Sequence, residues 1–126
     1  MIARVLSGAI GIITLFVLSG WITDPMTAAQ GLQMSLQDGM GGNTQIGDFS
    51  AFFFTAGLFA CLAAYRNEHV WLYTPFVILL SAAGFRLLAV VLHGSEPLVS
   101  AIIFEIIMAG VLAGCIYMMR KDSSAN

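Results

Sequence analysis

Residues 71–119, WLYTPFVILLSAAGFRLLAVVLHGSEPLVSAIIFEIIMAGVLAGCIYMM, hold two long apolar runs that meet at the short turn HGSEP, residues 93–97. Each run has about 20 residues, the length that an α-helix needs to cross the hydrocarbon core of a bilayer. Because the connecting turn is short, the two helices are predicted to be antiparallel neighbours. This stretch therefore predicts a helical hairpin embedded in a membrane.

The composition of the whole chain agrees with a membrane protein. Its 126 residues are 59% hydrophobic and 10% charged, with a mean hydropathy of +0.89, whereas soluble domains are about 25% charged. A soluble fold of this size exposes too much surface to hide so many apolar side chains. Five Lys and Arg residues and a net charge of −2 leave no basic surface for a phosphate backbone, so no nucleic-acid partner is expected.

Two further apolar runs precede the hairpin, and the chain is predicted to be one all-α membrane domain, an antiparallel four-helix bundle covering residues 1–126. The predicted spans are residues 5–22, 49–65, 71–92 and 98–119. A cleaved signal peptide is the alternative for the first span, because Arg4 precedes an apolar run. That run is longer than the usual ~7–15 residues, and no A-x-A-like site follows it.

The basic residues predict the orientation. Arg4, Arg66 and the pair Arg120 and Lys121 all fall on one side of a four-span chain, while the loops at 23–48 and 93–97 contain no Lys or Arg. By the positive-inside rule, both termini are predicted to be cytoplasmic and these two loops to face the other side.

The long loop at 23–48 is predicted to have two halves. Asp24 suits the N-cap and Pro25 the first position of a short helix that lies in the membrane interface. The second half, DGMGGNTQIGD at 38–48, is glycine-rich and is predicted to be a loop. The apolar face of the short helix would contain Met26, Ala29, Leu32 and Leu36.

Arg86 and Glu105 are the most informative residues, because each lies inside a predicted span. A charge at bilayer depth costs at least ~3 kcal/mol on insertion scales, so such residues normally find a partner. Arg86 lies seven residues before His93, and Glu105 eight residues after Pro97, so both should lie about 10–12 Å below the outer ends of their helices. We predict a bidentate Arg86–Glu105 ion pair.

Asp48 begins the second span near the same surface, which predicts a polar pocket in the outer half of the bundle. Asp48, Arg86 and Glu105 would line this pocket, with His93 and Gln45 at its mouth. The alternative is that the ion pair only fixes the register of two helices. An ionisable residue within a membrane nevertheless indicates function by default.

Gly110 and Gly114 form a G-x-x-x-G motif on the side of the fourth span opposite Glu105. Small residues at this spacing let another helix approach closely. The motif predicts contact with a second copy or with a larger membrane complex, and the alternative is a chance pattern in a glycine-rich chain.

Other chemistry has weak support in the sequence. Cys61 and Cys115 form no C-x-x-C motif, and a free Cys in a helix usually packs as a small hydrophobe. Three loop methionines could bind Cu(I), but no Cys or clustered His accompanies them, so no metal site and no cofactor are predicted. Those methionines are Met26, Met34 and Met40.

The segments at 48–66, 71–94 and 102–114 together resemble a bacterial four-helix inner-membrane family catalogued as a domain of unknown function. The chain is also loosely similar to DoxX-like membrane proteins. The segments read DFSAFFFTAGLFACLAAYR, WLYTPFVILLSAAGFRLLAVVLHG and IIFEIIMAGVLAG.

That family carries an acidic residue at the start of helix two, a G-x-R arginine late in helix three and a glutamate in helix four. The matching residues here are Asp48, Arg86 in the run Gly84-Phe85-Arg86, and Glu105. The resemblance, which covers residues 45–115, implies a bacterial inner-membrane location and supports the fold and this polar triad. It implies no activity, and the Gly- and Gln-rich outer loop departs from the family's pattern.

The favoured hypothesis is a non-enzymatic membrane protein that binds a lipid-like or small polar-headed ligand in the outer pocket. The first alternative is an accessory subunit that packs against a larger membrane complex through the fourth span. The second is a small membrane enzyme or proton-coupled carrier, which is least favoured because no internal repeat or broken helix pair marks a transporter.

The predicted orientation is tested with single cysteines in intact cells. Met40→Cys should react with a membrane-impermeant maleimide added outside, whereas Ser124→Cys should react only after the cells are opened. The parent protein, with Cys61 and Cys115, is the control for background labelling. The reverse pattern of reactivity would show that the chain is inserted the other way round.

Overall fold

The computed structural model describes residues 1–124, and this part of the chain is helical without a strand. The four long helices α1, α3, α4 and α5 are long and apolar enough to cross a membrane, which confirms the predicted all-α bundle. The helices are α1 (Ile2–Thr23), the short α2 (Pro25–Gly31), α3 (Gly39–Arg66), α4 (Tyr73–His93), which follows a 3-10 turn (His69–Leu72), and α5 (Val99–Ser124).

The turn between α4 and α5 has a simple local cause. Gly94 takes a left-handed conformation, with φ of 62°, and its N–H donates to the Val90 carbonyl at 3.0 Å. Glycine adopts this conformation at low cost and so ends helices. Pro97, three residues later, cannot donate a backbone hydrogen bond and separates the two helices.

The glycine-rich residues 38–48 are helical, so the prediction of a loop there is wrong. Gln45 ties α3 to the segment before it: its side chain accepts from the Gln37 N–H at 2.7 Å and donates to the Ser35 carbonyl at 3.2 Å. Gly42 is buried, and a Cβ there would collide with the Gln37 backbone. The absence of a side chain at Gly42 therefore allows the Gln37 backbone, just before α3, to pack closely against the first turn of the helix.

The start of α2 is as predicted. The Asp24 carboxylate accepts from the Thr27 N–H at 3.2 Å, and Pro25 occupies the first helical position. Hydrogen bonds from Thr27 lower the pKa of Asp24. The larger effect comes from the Thr27 side chain and the smaller one from its backbone N–H.

The end of α2 comes earlier than the predicted apolar face requires. Gln33 takes a left-handed conformation, with φ of 56°, and the Met34 N–H donates to the Ala29 carbonyl at 3.0 Å. This is the Schellman arrangement that ends many helices. Leu32 and Leu36 therefore lie beyond the helix, and the predicted four-residue face is wrong.

The long helices surround the bundle axis in the order α1, α3, α4, α5, so that each contacts two neighbours. The most extensive contact joins α1 to α3. At one end of this pair the Arg4 Nε donates to the Ala64 carbonyl at 2.9 Å. At the other end the Trp21 ring stacks on Phe49, with 4.6 Å between ring centroids. These two contacts fix α1 and α3 as an antiparallel pair.

Gly11 and Gly57 make the closest approach between α1 and α3. A Cβ on Gly11 would lie 2.9 Å from the Cys61 backbone nitrogen and 2.9 Å from the Gly57 carbonyl oxygen. A Cβ on Gly57 would lie 2.7 Å from Cγ of Leu15. The two backbones touch here, as small residues allow in membrane helices.

The buried apolar core lies towards the end of the bundle that carries both termini. Ala3, Ala63, Leu72, Cys115 and Met119 belong to one buried cluster at this end. The opposite half, which we call the distal half, holds the α4–α5 turn, α2 and the polar residues singled out above.

Gly11→Ala should lower the free energy of unfolding by about 1–3 kcal/mol, because the backbone must shift to admit a methyl group. Gly20→Ala on the same helix is the matched control, since nothing lies within 4 Å of a Cβ there. Alanine favours helix over glycine, so the control should be neutral or slightly stabilising. The thermal unfolding midpoint in detergent measures both variants, and equal midpoints would contradict close packing at Gly11.

Candidate functional site: a cavity beside a buried ion pair

A cavity of about 700 Å³ lies in the distal half, and all five helices contribute to its wall. Its size falls within the range of about 300–1,000 Å³ that is usual for ligand pockets. The wall consists of Val17, Gly31, Leu32, Asp48, Phe49, Phe52, Phe53, Leu79, Ala82, Phe85, Arg86, Ala89, Ser100, Ala101, Phe104 and Glu105.

Phenylalanines make up much of this wall. Three come from one stretch of α3, and α4 and α5 contribute one each, directly beside Arg86 and Glu105 in sequence. Ligand sites are typically apolar and aromatic, with a few polar groups that orient the ligand. The cavity has this apolar and aromatic character. Its five phenylalanines are Phe49, Phe52, Phe53, Phe85 and Phe104.

The predicted Arg86–Glu105 ion pair is present. The Arg86 Nε lies 3.1 Å from each oxygen of the Glu105 carboxylate. The Glu105 side chain is only 8% exposed, whereas that of Arg86 is 32% exposed. A buried carboxylate without such a partner would be strongly destabilising. Glu105 can therefore be buried only because Arg86 compensates its charge.

The pair does not have the bidentate geometry that the sequence analysis predicted. A single N–H, that of Nε, is shared between both carboxylate oxygens. Within residues 1–124, neither terminal guanidinium nitrogen forms a hydrogen bond to the protein, and neither is a buried atom lacking a partner. Their N–H groups are therefore accessible, beside the cavity that Arg86 lines.

Asp48 also lines the cavity, but it is exposed. No Lys, Arg or His nitrogen of residues 1–124 lies within 4.0 Å of its carboxylate, and the one ion pair of this part of the chain is Arg86–Glu105. The cavity wall thus contains the Glu105 carboxylate, which is ion-paired, and the Asp48 carboxylate, which is not. It also contains the Arg86 guanidinium, whose terminal N–H groups form no hydrogen bond to residues 1–124.

His93 and Gln45 do not line the cavity. His93 is exposed at the last residue of α4. Gln45 lies one helical turn before Asp48, and its side chain is engaged with the backbone of Ser35 and Gln37. The structure therefore brings three of the five proposed ligand-binding residues to the cavity wall: Asp48, Arg86 and Glu105.

Gly110 and Gly114 lie on the exposed surface of α5, and nothing lies within 4 Å of a Cβ placed on either. Glu105, on the opposite side of the helix, is buried. The outward placement of the glycine motif thus agrees with the sequence analysis.

Residues 1–124 contain no group of three or more His, Cys, Asp or Glu side chains placed to hold a metal ion. Cys61 and Cys115 are both free thiols. Cys115 is buried within the apolar cluster, and the Cys61 sulfur lies where a side chain on Gly11 would be. Both cysteines thus have packing roles.

The phenylalanines of the cavity wall and the contribution of α2 were not predicted from the sequence. Gly31 and Leu32, at the end of α2, contribute to the wall. The run Phe52–Phe53–Phe54 and the positions of Phe85 and Phe104 beside the charged residues were available as signals. From periodicity alone, such phenylalanines are expected to face lipid or to pack in the core. Their position in a cavity wall is recognisable only in the folded structure, where they lie beside the charged residues.

Comparison with protein-family models, curated proteins and solved structures finds no match for this chain. The resemblance to the bacterial four-helix inner-membrane family of unknown function, and the looser one to DoxX-like proteins, stay predictions.

Glu105→Gln alone should lower stability by about 3–5 kcal/mol, because it leaves the Arg86 charge without its counterion at membrane depth. Glu96→Gln, which removes an exposed carboxylate from the α4–α5 turn, is the matched control and should be neutral. Arg86→Met combined with Glu105→Leu should restore folding, because a well-packed apolar pair can match a buried ion pair. Unfolding midpoints and oligomer size in detergent report the result. A Glu105→Gln variant as stable as the parent would show that the pair does not hold α4 and α5 together.

Proposed function

We propose that this protein is a non-enzymatic membrane protein that binds a lipid-like ligand in the distal cavity. The observation that carries this proposal is the accessible guanidinium end of Arg86 beside an apolar cavity to which five phenylalanines contribute. Such a site matches an amphipathic ligand, with an apolar body against the aromatic wall and a hydrogen-bond-accepting head at Arg86.

The ion pair supports a binding role in addition to a structural one. A pair that served only to clamp two helices would be best satisfied by a bidentate arrangement, which uses two N–H groups. Here Glu105 engages only Nε of Arg86. The remaining donors keep the ability to bind a ligand, and Glu105 holds the guanidinium in position.

The entry route that we propose from the bilayer lies between α3 and α4, which contact each other much less than α1 and α3 do. Phe85 of α4 lines the cavity and is 69% exposed. Asp48 of α3 is exposed as well. A lipid could therefore enter sideways without crossing the bundle.

The proposed orientation places the distal half on the outer side of the bacterial inner membrane and both termini in the cytoplasm. In support, Arg4 contacts Ala64, close to Arg66, and α5 contacts the 3-10 turn that follows Arg66. The basic ends of the chain therefore gather at one end of the bundle, as the positive-inside rule requires of a cytoplasmic face. The cavity would then face the outer leaflet.

A second candidate function is that of an accessory subunit or homo-oligomer that packs through α5. Gly110 and Gly114 lie on an exposed helix face together with Ile103, Ile107 and Tyr117. Glycines at this spacing favour close helix association in membranes. Such an assembly would leave the cavity, on the other side of α5, unblocked.

The lipid-binding proposal is tested by mass spectrometry of the protein purified in mild detergent. The parent should retain bound lipid, whereas the Arg86→Met, Glu105→Leu variant should fold and retain at least about tenfold less, which is the loss of one charged hydrogen bond. Arg120→Met is the control, because it removes an exposed arginine far from the cavity. A folded double variant that retains lipid as the parent does would show that the ion pair is only a helix clamp.

A further inference from the structure

We infer that the cavity selects a zwitterionic aminophospholipid, whose phosphate binds the terminal guanidinium nitrogens of Arg86 and whose ammonium group binds Asp48. This inference rests on the proposed lipid-binding function and adds the chemical class of the head group. It follows from the hydrogen-bond donors and the charges in the cavity wall.

The donors of Arg86 call for an anionic or strongly accepting group. Nε is used by Glu105 at 3.1 Å, and the terminal nitrogens carry four N–H groups in one plane. A planar guanidinium matches phosphate oxygens better than it matches a single carbonyl. Charge-assisted hydrogen bonds of this kind are roughly twice as strong as neutral ones.

The charge of the cavity argues against a purely anionic head. Arg86 is already compensated by Glu105, and Asp48 adds a carboxylate that has no ion-pair partner among residues 1–124. An anionic lipid would satisfy the Arg86 donors but would bring a further negative charge towards two carboxylates. A head that also carries an ammonium group brings no net charge and supplies the partner that Asp48 lacks.

Arg86 and Asp48 lie in the wall of the same cavity, Arg86 on α4 and Asp48 on α3. In an aminophospholipid the phosphate and the amine are joined by a short carbon bridge. A single head group of this kind therefore offers a partner to each of the two side chains.

The apolar part of the cavity accommodates only part of such a lipid. The wall below and beside Arg86 is formed by Leu79, Ala82 and Phe52, which suit the first segments of an acyl chain. The rest of the chains would leave past the exposed Phe85 into the bilayer. This arrangement lets the head group decide selectivity while the chains remain solvated by lipid.

The experiment equilibrates the protein with vesicles that contain equal amounts of phosphatidylethanolamine, phosphatidylcholine and phosphatidylglycerol. The protein is then re-extracted in mild detergent, and bound lipid is identified by mass spectrometry. The parent should retain phosphatidylethanolamine about tenfold over each of the other two, as one charged hydrogen bond predicts. Asp48→Asn should still retain lipid but should lose this preference. Glu96→Gln, which removes a carboxylate from the same end of the bundle without touching the cavity, should keep it.

Each outcome decides a specific point. If the parent retains lipid without a head-group preference, or prefers phosphatidylglycerol, the inference is overturned and the lipid-binding function stands. Equal retention of phosphatidylcholine also overturns it, because a quaternary ammonium has no N–H to donate to Asp48. An unchanged preference in Asp48→Asn removes Asp48 from the site. If the parent retains no lipid, the proposed function fails together with the inference.

Discussion

The desolvation of Glu105 is the constraint on which the distal half of this bundle depends. A carboxylate buried among apolar helices has to be compensated, and the Arg86 Nε at 3.1 Å is its partner. Because Arg86 comes from α4 and Glu105 from α5, the need for compensation fixes the depth of one helix against the other. The short α4–α5 turn and the ion pair therefore specify the same register, one through chain connectivity and one through charge.

Packing is uneven along the bundle, and the cavity is a consequence. In a membrane the hydrophobic effect does not drive helices together, so close association depends on small residues that let backbones touch. Gly11 and Gly57 provide this contact between α1 and α3. In the distal half the wall combines five phenylalanines and Arg86 with small residues such as Ala82, Ala89 and Ala101. Close backbone contact thus joins α1 to α3, whereas the distal half keeps an open space between the helices.

The four spans and the ion pair could be predicted from the sequence because each rests on one strong physical requirement. Apolar length predicts a span, and the cost of an unpaired charge predicts that Arg86 and Glu105 meet. The helical start of α3 could not be predicted in this way. Its glycine-rich composition is typical of a loop. The contact that stabilises the helix joins the Gln45 side chain to the backbone of Ser35 and Gln37, and these residues come close together only in the folded chain. The same applies to the choice of Nε over a bidentate contact, which depends on the spacing of two packed helices.

The pairing of Arg86 with Glu105 also explains how guanidinium donors can be kept at membrane depth. An isolated arginine there would be costly, but a pair carries no net charge, and its remaining field is that of a dipole. Since Glu105 uses only Nε, compensation of the charge does not consume the terminal donors. The uncompensated carboxylate, Asp48, is exposed, so it bears little desolvation cost. Charge balance in the interior is thus met by Glu105 without using the terminal donors of Arg86. In the proposed function, these donors are the groups that bind a ligand.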